Sequence, residues 1–168
     1  MHRFLCRVDA QADNFRRLTY RTAWLLLAVG HGWAACATRQ ETGTLELRTI
    51  ADATRSTKRW VDTPPNGPSP GDTLIFDQPL MDATGQQDIG TNSGFCITTR
   101  PGVQSQCQWT LTLHNGSLTV AGQEREAGSS RLPVIGATGH YARRTGELLT
   151  FPNGNGTFTQ IVNLWPIP

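Results

Sequence analysis

The side chains that could do chemistry are few and spread along the chain. Asp77 follows the apolar run Leu74-Ile75-Phe76 and precedes Gln78-Pro79. A carboxyl at that place acts as a general acid or base if burial raises its pKa, and otherwise caps a turn. His140 and Tyr141 sit together after a glycine bend. The imidazole could shuttle a proton or stand on a surface turn. The phenol could orient a ligand from a pocket rim or pack in the core with its hydroxyl satisfied. Arg143 and Arg144 are consecutive, so on a strand they face opposite ways. At most one enters a pocket, and the other is solvated or pairs with Glu147. Trp109 shares a face with Leu111 and Leu113, as core or as a pocket wall. Phe95, Trp109 and Arg143 are the expected ligand contacts, and Asp77, His140 and Tyr141 the expected catalytic groups. Asp82 and Asp88 flank a glycine-containing loop and read as solvent-facing. No Gly-x-Ser-x-Gly, His-Glu-x-x-His or phosphate loop occurs, so nothing supports a hydrolytic triad, a zinc protease helix or a nucleotide site. Beyond the leader only His114 and His140 remain, with no Cys-x-x-Cys, and no metal site is expected.

These residues must be positioned by strands, because period-2 patterning dominates. In Gln106-Cys107-Gln108-Trp109-Thr110-Leu111-Thr112-Leu113 the odd positions are apolar or cysteine and the even ones Gln or Thr. Asn115-Gly116 follows, a strong hairpin signal. The pattern predicts eight strands, at 44–50, 72–78, 88–99, 106–114, 117–123, 131–136, 146–151 and 157–164. Residues 51–60 could form a turn or two of helix before the loop Pro64-Pro65-Asn66-Gly67-Pro68-Ser69-Pro70. Eight short strands joined by tight turns predict an all-β fold, a closed antiparallel barrel or a sandwich. At eight strands a barrel interior is filled by side chains or holds one small ligand.

The 168 residues suit one domain. Their formal charge of +2 is uneven: residues 1–37 hold five arginines against two aspartates, net +3, and the body is net −1. A near-neutral body without a basic run argues against nucleic-acid binding. Arg16, Arg17 and Arg21 precede the apolar run Ala23-Trp24-Leu25-Leu26-Leu27-Ala28-Val29, and Ala35-Cys36-Ala37 fits a cleavage site before Thr38. Residues 1–37 therefore read as a signal peptide for a secreted or periplasmic protein, with no stable membrane span after cleavage. A lipid-anchored Cys36 is the alternative, and translation starting near Leu18 would shorten the long basic region. The remaining pair, Cys96 and Cys107, reads first as a disulfide, with buried free thiols as the alternative. If strands 88–99 and 106–114 form a hairpin in which facing residue numbers sum to about 203, the two cysteines oppose each other. The same register sets Gly94 against Trp109, Asn92 against Leu111 and Gly90 against Leu113.

Three segments in order resemble a known group. Gly71-Asp72-Thr73-Leu74-Ile75-Phe76-Asp77-Gln78-Pro79-Leu80 is similar to the early strand of dirigent proteins and of bacterial allene oxide cyclase barrel-like proteins. Ile89-Gly90-Thr91-Asn92-Ser93-Gly94-Phe95-Cys96 with Cys107-Gln108-Trp109-Thr110 resembles the central hairpin of the exported bacterial members, and Gly116–Gly122 fits their next strand. Leu132-Pro133-Val134-Ile135-Gly136-Ala137-Thr138-Gly139-His140-Tyr141 resembles the segment P-V-x-G-G-T-G-x-[FY]. The chain departs at Ala142-Arg143-Arg144-Thr145-Gly146, where Thr145 stands in place of the expected arginine. His140 stands where some plant members carry a functional aspartate. The resemblance implies an eight-stranded antiparallel barrel with a central pocket, no cofactor, and a trimer by analogy with plant members. Together with the leader (1–37), it divides the chain into an N-terminal strand and Pro-rich loop (38–70) leading into the barrel (71–168), the resemblance itself covering roughly residues 70–165. It implies an isomerase or cyclase that steers a small hydrophobic intermediate, with any ligand site inside the barrel near Asp77 and the His140-Tyr141 bend. A carrier of a hydrophobic ligand and a structural or interaction barrel are the alternatives. A filled interior favours the structural module, a wholly apolar pocket the carrier, and a pocket with one or two buried ionisable groups the enzyme.

Overall fold

The computed structural model describes residues 43–167, so the leader and Cys36 lie outside the described residues. Nine strands follow in order: β1 (Leu45–Asp52), β2 (Thr57–Val61), β3 (Thr73–Met81), β4 (Asp88–Arg100), β5 (Gln104–Leu113), β6 (Gly116–Arg125), β7 (Ser130–Ala137), β8 (Arg144–Pro152) and β9 (Thr157–Pro166). All neighbours are antiparallel, in the order β1-β9-β8-β7-β6-β5-β4-β3, and β1 closes back on β3 through Ile50–Met81 and Ala51–Leu80. The result is a closed eight-stranded barrel with β2 as one extra strand on β3. Because β1 is bonded to β9 from Leu45 to Asp52, the staves begin at Leu45. No helix among the described residues is long and apolar enough to cross a membrane.

Residues 51–60 do not form an α-helix. Asp52 accepts the backbone N–H and the hydroxyl of Thr54, which caps a single 3-10 turn, Ala53–Arg55. Beyond it Thr57–Val61 runs straight and pairs with Thr73–Asp77. This β2 is exposed along its length and carries Lys58 and Arg59, charges that protect an open sheet edge from pairing with other chains.

The hairpin of β4 and β5 has the expected register: Cys96 opposes Cys107, Gly94 Trp109, Asn92 Leu111 and Gly90 Leu113. The cysteines form a disulfide across the inner face. Inward residues follow the two-residue period of each strand. At one end of the barrel they are Leu80, Leu111, Leu118, Leu132, Leu148, Val162 and Leu164, each with no exposed surface, and they fill the interior. At that end the segment after β7 is tied to the β5–β6 turn. Thr138 donates its backbone N–H to the Ser117 carbonyl, His140 donates to the Asn115 carbonyl, and Ser117 N–H bonds the Thr138 hydroxyl. Gly139 makes this possible with φ of +60°, and a Cβ there would lie 2.3 Å from the Asn115 carbonyl oxygen. The Gly-Ala-Thr-Gly-His-Tyr run is thus bound over the β5–β6 turn, with Tyr141 its one buried side chain. The other end is formed by the starts of β3, β5, β7 and β9 and the ends of β1, β4, β6 and β8. There the inward side chains become aromatic and polar.

Candidate active site

At this open end lies a cavity of about 250 Å³. Its walls are Leu74 and Phe76 from β3, Trp109 from β5 and Phe158 from β9. The Phe76 and Trp109 rings meet tilted, with centroids 6.5 Å apart. Trp109 can stand there because Gly94 opposite leaves room for it: an added Cβ would be 2.5 Å from the Cβ of Trp109. Lys58 and Trp60 of β2 border the mouth, and Trp60 is 62% exposed.

Polar groups punctuate this lining. Gln78, Asn92, Thr150 and Gln160 all point inward and are buried. Gln160 accepts a hydrogen bond from Thr49 at 3.4 Å. The side-chain carbonyl oxygen of Asn92 and the indole N–H of Trp109 are enclosed and have no partner among the described residues. Leaving such groups unpaired costs about 1–3 kcal/mol each, so these two enclosed atoms are unmet hydrogen-bonding capacity packed behind the cavity wall.

Glu124 is the ionisable acid of the site. It continues the inward series Leu118, Val120, Gly122 of β6. Its carboxyl oxygen lies 3.3 Å from Cys107 Sγ and 3.6 Å from Cys96 Sγ. Disulfide sulfurs carry no hydrogen, so only the protonated carboxyl can donate in these contacts. Burial disfavours the carboxylate and raises the group to about 7. At neutral pH it can therefore give or accept a proton. Cys96, Cys107 and Glu124 also form a cluster of metal-ligand type, but with both sulfurs bonded to each other they offer no thiolate pair.

The residues singled out in the sequence are dispersed. Asp77 is not in the barrel mouth: β3 runs on to Met81, and its inward positions are Leu74, Phe76, Gln78 and Leu80, which turns Asp77 outward. Phe95 is 40% exposed on the outside, between the inward positions Gly94 and Cys96. His140 is exposed, and Tyr141 is buried at the closed end, where its ring packs edge-on to His140. Burial pushes that phenol up, opposed by a side-chain hydrogen bond with Asn115. Arg143 is exposed with φ of 62°, while Arg144 is the buried one and donates to the Gly43 carbonyl at 2.7 Å. Glu147 pairs with Arg131 instead. Asp88 holds Arg55 on the surface, and Asp82 accepts from the backbone of Thr84 and Gln86 in its loop. Of the expected set, the structure places Trp109 alone, with Cys96 of the disulfide, on the cavity wall. Glu124 and Asn92 were missed. Extending the alternation of 117–123 by one residue puts Glu124 inward, and the hairpin register already faced Asn92 toward Leu111.

No family model matches the sequence, and neither does any curated protein. Solved structures share the fold. A pterocarpan synthase dirigent protein is 13% identical, with TM-score 0.62 over 90% of this chain and 100% of its own. The Diels-Alderase AbmU from Streptomyces koyangensis is 20% identical, with TM-score 0.61 over 79% of this chain and 72% of its own. A pyocyanin demethylase is 22% identical, with TM-score 0.60 over 73% of this chain and 99% of its own. The chain thus has the barrel fold of dirigent proteins and of cycloaddition enzymes.

Proposed function

We propose that this barrel is an exported, cofactor-free enzyme of the isomerase or cyclase type, which takes a small, largely apolar molecule into the open-end cavity and steers its rearrangement. One observation carries the reading: a carboxyl poised near neutrality stands in an aromatic-walled cavity whose other buried polar groups are uncharged. Filled barrels lack the space, and a pure carrier has no use for such a group. Glu124 donates its proton to an oxygen or unsaturated carbon of the bound molecule, and the resulting carboxylate removes a proton elsewhere on it. The net change is an isomerisation, with no electrons gained or lost. On binding, small side-chain shifts turn the enclosed Asn92 Oδ1 and Trp109 indole N–H toward a polar group of the ligand, while Phe76 and Phe158 exclude water and restrict its conformers. The disulfide supports an oxidising compartment. The outward apolar residues Ile75, Phe95 and Ile97 support self-association, with the trimer as the proposed form; sedimentation of the purified protein reads it.

The neutral probe 1-naphthol tests the site. It should bind once per chain, with naphthol emission shifted as it leaves water. Asn92→Leu should weaken it roughly 3–10-fold, the worth of one hydrogen bond, whereas Glu124→Gln should change it less than about twofold. Once a turned-over substrate is found, Glu124→Gln should lower kcat by about 10²–10⁴. Naphthol binding that ignores Asn92, or turnover that survives Glu124→Gln, would overturn the assignment.

A further inference from the structure

The proposed reaction leaves the Cys96–Cys107 disulfide without a role, although it faces the same cavity. Cys96 lines the cavity wall, while Cys107 lies deeper and is 1% exposed. The Glu124 carboxyl is nearer the deeper sulfur, at 3.3 Å against 3.6 Å. The carboxyl oxygen touches both sulfurs and has no hydrogen bond to another polar group among the described residues. A disulfide kept solely as a crosslink has no need of a proton donor, and burying an acid against sulfur costs desolvation with little return.

We propose that this disulfide is exchange-active and is entered from the cavity: a small-molecule thiol attacks Cys96 Sγ, and Glu124 protonates the departing Cys107 sulfur. In the first step the incoming thiolate forms a mixed disulfide with Cys96. The Cys96–Cys107 bond breaks with its electron pair on Cys107 Sγ, and that sulfur takes the Glu124 proton. A second thiol attacks the small-molecule sulfur of the mixed disulfide and releases Cys96. Two thiols are oxidised to one small-molecule disulfide, and the protein disulfide is reduced to two thiols. The protons shed by the incoming thiols return Cys96 and Glu124 to their neutral forms. Cys107 is the sulfur that needs this help. A buried thiolate is a poor leaving group, and Glu124 is the acid within reach.

Other charges near the carboxyl are few. Lys58 of β2 lines the cavity, and Arg125 and Glu126, next in sequence, border the adjoining hollow with Ser105 of β5. Burial alone accounts for the raised carboxyl. This inference does not depend on the proposed isomerisation, because it needs the cavity only as an entrance.

The test uses the full oxidised chain and dithiothreitol between pH 6 and 8, with free cysteines trapped by alkylation and counted by mass spectrometry. Rates are compared at equal thiolate concentration, beside the global opening rate from hydrogen exchange of core amides. The native protein should be reduced well above its opening rate. Glu124→Gln should slow reduction about 10-fold at pH 6 and progressively less toward pH 8, where the carboxyl has lost its proton. Glu124→Asp, which keeps the acid, should recover part of the rate. Reduction no faster than global opening would overturn the proposal. So would a Glu124→Gln rate equal to the native one at pH 6, or equal loss in Glu124→Asp and Glu124→Gln. Naphthol binding is read separately, so either assignment can fail without the other.

Discussion

Gly94→Ala is expected to destabilise the barrel by about 3 kcal/mol or more, the upper range for overpacking a close-packed interior. The added methyl would stand 2.2 Å from the Gln108 carbonyl oxygen and 2.5 Å from Trp109 Cβ. Both obstacles sit on backbone or at its root, so neither can swing aside. Either β4 separates from β5 beside the disulfide or Trp109 leaves the cavity wall. Gly136→Ala is the control, since its new methyl meets only the Thr119 side chain at 3.6 Å; it should change stability by less than about 1 kcal/mol. Urea denaturation of the two variants beside the native chain reads the difference. Equal midpoints would mean that Trp109 is not packed over Gly94.

Stability should also fall as pH rises from about 5 to 8, and Glu124 should be the cause. The folded protein holds this proton up to about 7, whereas the carboxyl ordinarily loses it near 4.5. Between those values the folded state binds more protons than the unfolded chain, so each step up in pH favours unfolding. The full difference is at most about 3.4 kcal/mol, from 1.36 kcal/mol per pKa unit, and less to the degree that water at the mouth solvates the carboxylate. Glu124→Gln should flatten the curve and be more stable than the native protein at pH 8. Asp52 acts in the opposite sense and lower down. The Thr54 hydroxyl and Arg55 beside it hold its carboxyl below the usual range, so its contribution is present at neutral pH and lost in acid. Denaturant midpoints from pH 5 to 8 separate the two. A native curve that is flat over this window would show that Glu124 titrates as an ordinary carboxyl.

Much of this arrangement is legible in the residues alone. Alternation in 106–113 and the sum-of-numbers argument locate the disulfide and the glycine beneath Trp109, because a period of two admits one register once a single pair is fixed. The family resemblance and the observed barrel agree on the fold. The catalytic candidates lie away from the cavity for a local reason in each case. Asp77 follows three apolar residues in a row, Leu74-Ile75-Phe76, and such a run does not say which face is inside. Taking it as a strand end also overlooked that Pro79 can sit within β3, which extends to Met81. His140 and Tyr141 belong to the segment that best matches the family, yet that segment is fixed by its hydrogen bonds to Asn115 and Ser117 at the far end of the barrel. Glu124 lay just past the expected end of its strand, in the charged run Glu124-Arg125-Glu126 that resembles a solvated turn. β2 was hidden because its alternation is between polar residues and one exposed tryptophan, with no buried side chain to mark it.

The uneven filling of the barrel separates what the chain must keep from what it can vary. Leucines and tight glycines concentrate at the closed end, where every volume change is felt by neighbours. Gln78, Asn92, Thr150 and Gln160 line the hollow end, away from the layers of Leu118, Leu148 and Leu164 that hold the staves together. Substitutions at sites without shared partners act on stability almost independently. A lineage can therefore reshape the hollow end residue by residue, exchanging one guest molecule for another, while the closed end goes on specifying the same barrel. A fold partitioned in this way is open to many chemistries, and structures bearing the names dirigent protein, Diels-Alderase and demethylase share it.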